Sequence, residues 1–374
     1  MTKSAIKVLI VGGGIAGMSC AIELAKLGAD ITLIDLDPNW RVYGAGITIT
    51  GPTFRAFRQI GIMEEVIAHG FACKGARTRT SQGDLLAEVV EIGLEPGVPY
   101  GGGILRPLLH HILSERVKAA GVTIRLGLTL DSITSSSDGV EVVLSDGTAG
   151  AFDLVVGADG INSKTRALIR PHGPAPRFTG QGAWRVLAPR PPDLDMIEMY
   201  LGPAIKTGVT PVSRQELYMF VLTPEIQGEI IDPAEQSARL RHALEGFGGL
   251  IGQIRDTLDV HSPIVYRPLE ALLVPLPWNE GRVILIGDAA HSTTPHLASG
   301  AGCAVEDSVV LAEELRGRAD IDEALAAFSA RRFERCRDVV ETSIRLGEME
   351  LSGAPGEDQG RVYAEANRRL AATI

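Results

Sequence analysis

Apolar and polar positions near the start of the chain follow a strand pattern, then a helix pattern, then a second strand pattern. Residues 6–11 form a β-branched apolar run that is typical of a buried strand. Residues 18–27 carry apolar side chains at helical spacing, and Gly28 is the residue type that commonly follows a helix end. Residues 31–34 are again strand-like. The pattern predicts a strand, a tight turn, a helix and a second strand.

Two later apolar runs, residues 154–156 and 283–286, each lead into a glycine that is followed closely by an aspartate. Such unbroken runs are typical of parallel strands that are buried on both faces of a sheet. Between them, segments such as residues 217–222 alternate partially between apolar and polar positions, which predicts an antiparallel sheet. Beyond Gly300 the pattern is mostly helical.

Composition narrows the class of protein. The 374 residues are 45% hydrophobic and 22% charged, which predicts a water-soluble globular chain of two domains without a membrane span. The net charge of -10 comes without a visible cluster of Lys and Arg, so we expect no nucleic-acid partner. Residues 1–4 lead directly into the first strand and leave no room for a leader peptide, so we expect a cytoplasmic protein.

The residue types that commonly bind metals are not spaced as ligands. The cysteines at positions 20, 73, 303 and 336 are too far apart for the paired spacing of a zinc site, and too few for a disulfide framework. His110 and His111 have no acidic neighbours at ligand spacing. We therefore expect reduced thiols and no bound metal.

The first predicted turn carries a dinucleotide-binding pattern. Residues 12–17 read GGGIAG and match G-x-G-x-x-G between a strand and a helix. In this pattern the glycines permit a tight turn, a close approach to a diphosphate, and the packing of the helix on the strand. The predicted cofactor contacts are Gly12, Gly14, Ala16 and Gly17. Asp35 ends the next strand, where an acid that binds the ribose belongs, although a plain turn residue also fits. These features leave NAD and FAD as alternatives.

Four further motifs accompany the glycine loop. They read GAGI at residues 44–47, RPLL at 106–109, DLVVGADG at 153–160 and GRVILIGDAAH at 281–291. In combination they resemble the class A flavoprotein monooxygenases, a family that includes salicylate-, hydroxybenzoate-, hydroxynicotinate- and urate-hydroxylating enzymes. The resemblance covers nearly the whole chain and favours FAD over NAD as the bound cofactor.

The resemblance implies a set of FAD contacts. Arg106 corresponds to the arginine that reaches the FAD diphosphate, Asp159 to an acid that serves both FAD and the nicotinamide cofactor, and Asp288 to the acid that binds the ribityl chain. The other implied cofactor residues are Gly46, Ile47, Pro295, Gly300, Ala301 and Gly302. On local sequence alone, Arg106 also fits a solvated arginine at a helix start, and Asp159 fits a turn residue. The chain has no counterpart of the Gln and Asn in the family's G-Q-G-x-N turn, so only backbone contacts are expected there.

The resemblance also implies the reaction. NADH or NADPH reduces the bound FAD, dioxygen then gives a flavin hydroperoxide, and its distal oxygen is transferred to a small polar aromatic or N-heteroaromatic substrate. The protein supplies orientation, a dry cavity and a group that manages the proton of a ring hydroxyl or ring N–H. The chain is expected to be a monomer or a homodimer.

Three residues are candidates for the catalytic role. His296 follows Pro295 in the loop after the GD motif. The urate-type relatives that this chain resembles carry an acid at this position. Histidine is a common general base near neutral pH. Lys206 and Tyr218 lie on two predicted sheet strands where those relatives carry Arg and Tyr, so Lys206 would attract an anionic or enolised substrate and Tyr218 would bind its oxygen. A plain loop histidine, a surface lysine and a packed tyrosine remain the alternatives. Arg185 is a weaker anion-binding candidate.

Three other functions are alternatives to aromatic hydroxylation. A flavin-dependent halogenase would carry a W-x-W-x-I-P stretch, and Trp40, Trp184 and Trp278 do not lie in such a setting. A tetracycline-type antibiotic-modifying monooxygenase shares the same motifs. A non-catalytic FAD-binding regulatory protein would bind the cofactor without turnover. His291 is expected to have a structural role beside Asp288.

The expected fold class is α/β, with a Rossmann-like FAD domain of the glutathione-reductase type, an inserted antiparallel substrate sheet and C-terminal helices. The FAD domain is expected to be discontinuous and to comprise residues 1–72, 100–175 and 272–340. Residues 73–99 and 176–271 form the expected substrate domain. Residues 341–374 form the expected C-terminal helical segment. The helix-forming stretch 322–370 is predicted to pack on the FAD domain or at a dimer contact.

Overall fold

The computed structural model describes residues 5–374 except residues 43, 91–92, 137, 203–204, 226 and 230. Residues 1–4, on which the expected absence of a leader depends, lie outside this part. The strands are β1 (Lys7–Val11), β2 (Asp30–Asp35), β3 (Gly46–Thr50), β4 (Phe71–Cys73), β5 (Gly75–Thr80), β6 (Leu85–Val90), β7 (Gly101–Leu105), β8 (Thr123–Leu126), β9 (Leu130–Ser135), β10 (Val140–Leu144), β11 (Ala149–Phe152), β12 (Leu154–Gly157), β13 (Arg177–Pro189), β14 (Ile197–Leu201), β15 (Lys206–Pro211), β16 (Glu216–Pro224), β17 (Val265–Ala271), β18 (Asn279–Glu280) and β19 (Val283–Leu285). The helices are α1 (Ile15–Ala25), α2 (Gly51–Ile60), α3 (Met63–His69), α4 (Arg106–Ala119), α5 (Lys164–Ile169), α6 (Gln236–Ala243), α7 (Gly249–Thr257), α8 (Asp288–His291), α9 (Gly300–Gly317), α10 (Ile321–Leu351) and α11 (Gly356–Leu370), with short 3-10 turns at Pro233–Glu235 and Pro295–Leu297.

A largely parallel sheet forms the centre of the cofactor side of the molecule. Its strand order among the described residues is β18-β19-β12-β1-β2-β8, and only β18 pairs antiparallel. The apolar runs predicted as buried strands are confirmed as β1, β2, β12 and β19, and their central residues are fully buried. Because β1, β12 and β19 run in the same direction, the loops after them meet at one edge of the sheet.

A second, seven-stranded sheet has the order β17-β13-β16-β15-β14-β5-β6. One of its faces packs on α6 and α7 through a hydrophobic cluster that includes Trp184, Met219 and Leu240. The pairing is antiparallel as predicted, except that β14 runs parallel to β5. The physical reason is that β5 comes from a distant part of the chain, so a hairpin turn does not set its direction relative to β14.

The C-terminal helices pack against both sides of the molecule. α10 contacts α9 and also reaches β13 of the seven-stranded sheet. The expected boundary at residue 340 falls inside α10, which runs without a break from Ile321 to Leu351. The end of the chain lies on α2, where Arg55 donates to the carbonyl oxygens of Ala371 and Ala372 at 2.9 and 2.6 Å. Among the described helices, none is long and apolar enough to cross a membrane.

Candidate active site

Hydrogen bonds from two side chains hold the glycine loop between β1 and α1 in place. The backbone N–H of Gly13 donates to Asp35 Oδ2 at 2.7 Å, and the N–H of Asp37 donates to Asp35 Oδ1 at 2.8 Å. Trp40 donates its indole N–H to the carbonyl oxygen of Gly13 at 2.9 Å. A Cβ atom added to Gly14 would meet no protein atom within 4 Å, so open space lies in front of the N-terminus of α1.

The GD turn after β19 has a strained backbone that only glycine adopts readily. Gly287 has a φ of +56°, and a Cβ there would lie 2.8 Å from the Cβ of Ala16 in α1. The turn presents Asp288 to the open space. Its side chain is accessible to water, yet enough protein surrounds it that desolvation raises its pKa, against the charges of His291 and Arg106. This carboxylate therefore lies in a recess that water reaches, and we call this recess the cleft.

A buried ionic cluster holds the GD turn from behind. Asp307 Oδ2 accepts hydrogen bonds from Gly287 N at 2.9 Å and from His291 Nε2 at 2.7 Å, and Asp307 Oδ1 accepts from Arg332 Nε at 2.8 Å. Arg332 also lies 2.9 Å from Glu306. Against the effect of burial, His291 and Arg332 hold the pKa of Asp307 below its usual value. The structural role expected for His291 agrees with these contacts.

Three ligand-type atoms in this cluster lie close together. Those of His291, Asp307 and Cys336 fall within 4.8 Å of one another. The guanidinium of Arg332 also contacts this group, 3.6 Å from the Cys336 sulfur, so the positive charge that a metal ion would supply is already present. The positive charge of Arg332 would repel a metal cation there. The expected absence of a bound metal stays a prediction.

Arg106, at the N-terminus of α4, points into the same cleft. Its aliphatic stem passes Gly44, whose added Cβ would lie 2.6 Å from Arg106 Cδ. Desolvation lowers the pKa of Arg106, and the charges of Tyr218, Arg185 and Asp288 act on it. Among the described residues, no acceptor lies within hydrogen-bond distance of its guanidinium. Its five N–H donors are available to a ligand.

The turn before α9 supplies further unpaired donors. Pro295 opens a 3-10 turn, and Ser299 precedes the helix without a side-chain hydrogen bond to it, because its hydroxyl donates to the carbonyl oxygen of Leu297 at 2.8 Å. The first N–H groups of a helix have no acceptor inside the helix. The amides at residues 300–302 therefore carry the positive end of an 18-residue helix.

Both carboxylate oxygens of Asp159 accept hydrogen bonds from residues of its own loop. Its Oδ1 accepts from the Ser163 hydroxyl at 2.5 Å, and its Oδ2 accepts from the backbone N–H and the hydroxyl of Thr165, both at 2.9 Å. Arg166 then ties this loop to the GD turn by donating to the carbonyl oxygen of Ala289 at 3.0 Å. These contacts give Asp159 a loop-holding role in addition to the cofactor role implied by its motif.

The seven-stranded sheet turns one face toward this cleft. Alternation along the strands places Arg185, Lys206 and Tyr218 on that face, opposite the face covered by α6 and α7. Its rows, read across β13, β16 and β15, are Ala183, Leu222 and Lys206; Arg185, Phe220 and Gly208; and Leu187, Tyr218 and Thr210. We call these residues the substrate face. Lys206 and Tyr218 lie two rows apart, at opposite ends of it, and Thr210 bonds Thr48 of β3 at 2.9 Å.

Glu350, near the C-terminal end of α10, joins two of the three catalytic candidates. Its Oε1 lies 3.0 Å from Lys206 Nζ, and its Oε2 lies 3.2 Å from His296 Nε2 and 3.0 Å from Gln181 Nε2. The other ring nitrogen of His296 contacts the Thr294 hydroxyl at 2.8 Å, and 1% of the His296 side chain is exposed. His296 is therefore linked to the cleft through Glu350 and Lys206.

Comparison with known proteins identifies the family. The FAD binding domain family matches residues 5–343. The chain belongs to this family. It is 35% identical to the FAD-dependent monooxygenase YetM of Bacillus subtilis (strain 168), over 95% of this chain and 97% of that protein. It is 32% identical to 2-heptyl-3-hydroxy-4(1H)-quinolone synthase of Pseudomonas aeruginosa (strain UCBPP-PA14), over 82% of this chain and 79% of that protein. The fold matches that of Klebsiella pneumoniae HpxO complexed with FAD and uric acid, with a TM-score of 0.82, 24% identity, and coverage of 98% of this chain and 95% of that chain.

The cleft fits the cofactor that defines this FAD-binding family. Open space lies before Gly14, and the guanidinium of Arg106 and the first amides of α9, which have no acceptor among the described residues, offer donors to an anionic or carbonyl-bearing group. Asp288 offers an acceptor for hydroxyl groups. Gly46 and Ile47 lie in β3 against the substrate face, where a Cβ on Gly46 would lie 2.5 Å from the Cβ of Tyr218.

The ionised state of Glu350 predicts a pH-dependent stability. Burial alone would raise its pKa, but the hydrogen bond from His296 and the charge of Lys206 lower it to about 2 in the folded chain, against an ordinary value of 4.5. A depressed carboxyl pKa stabilises the fold above the ordinary value, and this contribution is lost as the pH falls toward 2. We expect Glu350→Gln to lose on the order of 3 kcal/mol of unfolding free energy at pH 7.

Chemical denaturation of both proteins between pH 3 and 7 measures this difference. It should be constant above about pH 5.5 and shrink below the ordinary pKa. The control is Glu348→Gln, an exposed residue on the same helix, which should track the wild type at every pH. A gap between Glu350→Gln and wild type that does not narrow in acid would contradict the assignment.

Proposed function

We propose that this chain is an FAD-dependent monooxygenase that uses NADH or NADPH and dioxygen to hydroxylate a small aromatic or N-heteroaromatic substrate. The observation that supports this most is a cleft in which polar groups from both halves of the molecule converge. Arg106 and Asp288 come from the cofactor side, and Arg185 and Tyr218 come from the substrate face. Such a cleft can hold a cofactor and a ring in contact.

We assign the cofactor contacts by residue. Arg106 would hold the FAD diphosphate with its planar fork, and Asp288 would accept from the ribityl hydroxyls. Gly12, Gly14, Ala16, Gly17 and Asp35 would hold the adenosine diphosphate part, with the backbone of Gly14 close to the diphosphate. Gly46, Ile47, Asp159, Pro295 and residues 300–302 would surround the remainder. FAD, once bound, supplies hydride acceptance and oxygen activation. The positive end of α9 would stabilise negative charge on a group bound beside residues 300–302.

The substrate face would orient the ring. Tyr218 is 7% exposed, and its hydroxyl would hydrogen-bond a substrate oxygen. Lys206 would donate a hydrogen bond to the substrate from the other end of the face. Leu187, Phe220 and Leu222 line the same face and exclude water from the reacting ring. Contacts of 3.0 and 3.2 Å join Lys206 to His296 through Glu350, so His296 would be the proton-accepting group at that end of the face.

The relatives suggest which rings to test. One relative is named for a 4(1H)-quinolone, and HpxO was crystallised with uric acid; both compounds are nitrogen heterocycles that carry oxo groups. We propose an oxo- or hydroxy-substituted N-heteroaromatic substrate as the first choice. We also propose that the protein is cytoplasmic and acts as a monomer or a homodimer.

The absorption spectrum of the purified protein is the first test, followed by NADH and NADPH oxidation against hydroxybenzoates, hydroxypyridines, quinolones, purines and a tetracycline. A yellow protein whose oxidation rate rises with one compound and yields its hydroxylated product supports the proposal. A rise with the tetracycline alone would favour the antibiotic-modifying alternative. A protein that binds FAD without turnover on any compound would favour a regulatory role, and one that cannot be reconstituted with FAD would refute the proposal.

A further inference from the structure

The ammonium of Lys206 is charge-compensated before any substrate arrives. Its Nζ lies 3.0 Å from Glu350 Oε1, and the two side chains are 20% and 9% exposed. An ammonium has three N–H donors, and Glu350 is the acceptor that it contacts among the described residues. Two donors are therefore left for a ligand, but the net charge of the pair is zero.

The contact between α10 and the substrate face depends on a glycine inside the helix. Gly347 lies one turn before Glu350, and a Cβ there would lie 2.8 Å from Gln181 Oε1 and 3.1 Å from His296 Cε1. Glycine is unfavourable in a helix interior. Its presence at this position lets Gln181 and His296 approach α10 closely enough to bond Glu350.

The charges around the cleft do not favour an anionic substrate. Three cationic side chains described there, Arg106, Arg185 and Lys206, face two carboxylates, Asp288 and Glu350. The diphosphate of FAD brings two further negative charges. A substrate carboxylate beside Lys206 would add a second carboxylate near Glu350 in a partly desolvated site, where like charges repel strongly.

We propose that Glu350 is a positioning residue that sets substrate choice: it holds Lys206 as a neutralised donor pair, so that the cleft selects a neutral oxo- or hydroxy-heteroaromatic ring over the same ring carrying a carboxylate. This inference rests on the proposed function, because it concerns the substrate of that same cleft. Lys206 binds the ring oxygen through its two remaining donors, and Glu350 acts on the substrate through Lys206.

The experiment compares 4(1H)-quinolone with its 2-carboxylate as ligands of the FAD-loaded protein. Dissociation constants are measured from the change in flavin absorbance, which reports binding without turnover. We expect the wild type to bind the neutral quinolone roughly tenfold or more tightly than the carboxylate. In Glu350→Gln, the ratio of the two constants should shift by roughly tenfold or more toward the carboxylate, because the charge of Lys206 is no longer matched.

Two variants keep the test decisive. Glu348→Gln removes an exposed carboxylate from the same helix and should leave the ratio unchanged. Lys206→Gln should weaken quinolone binding without improving carboxylate binding, so it tests the assignment even if Glu350→Gln fails to fold. A structural role for Glu350 would weaken both ligands equally and leave the ratio unmoved.

Three results would overturn the inference: a wild type that prefers the carboxylate, an unshifted ratio in Glu350→Gln, or no spectral response to the neutral quinolone. Each of these is recorded on a yellow, FAD-loaded protein. A protein that does not take up FAD at all speaks against the proposed function instead, so the two failures are distinguishable.

Discussion

Arg332→Met is expected to lower the free energy of unfolding by about 3 to 5 kcal/mol, because Asp307 then keeps His291 and Glu306 keeps Arg335, but part of the buried negative charge is left uncompensated. Arg332, Glu306 and Asp307 are 1%, 2% and 0% exposed. Methionine fills much of the same volume but supplies no charge to the two carboxylates. Asp307 would also lose part of the support with which it holds the backbone of Gly287.

Denaturant unfolding of the apoprotein at neutral pH measures this loss. Arg337→Met is the matched control, because Arg337 lies on the same helix with its side chain 43% exposed beside Glu334 and Glu341. Exposed pairs contribute up to about 1 kcal/mol, so the control should remain near the wild type. If both variants lost the same small amount, the buried cluster would not be what stabilises the GD turn.

Alanine at Gly12 and alanine at Gly14 are expected to fail for different reasons. Gly12 has a φ of +105°, and an added Cβ would overlap the carbonyl group of Ala158, so Gly12→Ala should destabilise the apoprotein by about 3 kcal/mol or more. Gly14 has a φ of -79°, which alanine accepts, and no protein atom lies within 4 Å of the added Cβ. Gly14→Ala should therefore leave the apoprotein within about 0.5 kcal/mol of the wild type.

The difference should appear in FAD binding. Gly14→Ala fills the space that a diphosphate would approach, so the dissociation constant for FAD should rise roughly tenfold or more. Apoprotein denaturation gives the stability, and quenching of flavin fluorescence on titration gives the affinity. Wild-type affinity in Gly14→Ala would show that the cofactor does not approach the backbone at this position.

Much of the fold follows from local pattern. The strand and helix around the glycine loop, and the apolar runs that became β12 and β19, were predictable because a buried parallel strand needs an unbroken apolar run that ends in a turn. The loop ends then follow from strand direction, since parallel strands deliver their carboxyl ends to one edge. The parallel pairing of β14 with β5 was not predictable, because it depends on where a distant segment docks.

Some residues of the site could be predicted from the sequence and others could not. Asp288 and Arg106 carry recognisable local sequence, and the structure places both in the cleft. Glu350 has no such signal: it lies 54 residues from His296 and 144 from Lys206 in the chain, and only the packing of α10 brings them together. The glycine one turn before it was the one local sign that something approaches this helix. The hydrogen bonds from Ser163 and Thr165 to Asp159 are local, since the two hydroxyl residues follow the aspartate by four and six positions. This spacing could have indicated them.

The uninterrupted course of α10 places two separate roles at different points of one helix. Arg332 supports the GD turn through Asp307, and Glu350 contacts Lys206 of the substrate face about 27 Å further along the same helix. We therefore expect substitutions in its last two turns to leave the contacts of Arg332 with Asp307 unchanged. Under the proposed function, the choice of ring would therefore be set at one end of this helix and the support of the GD turn at the other.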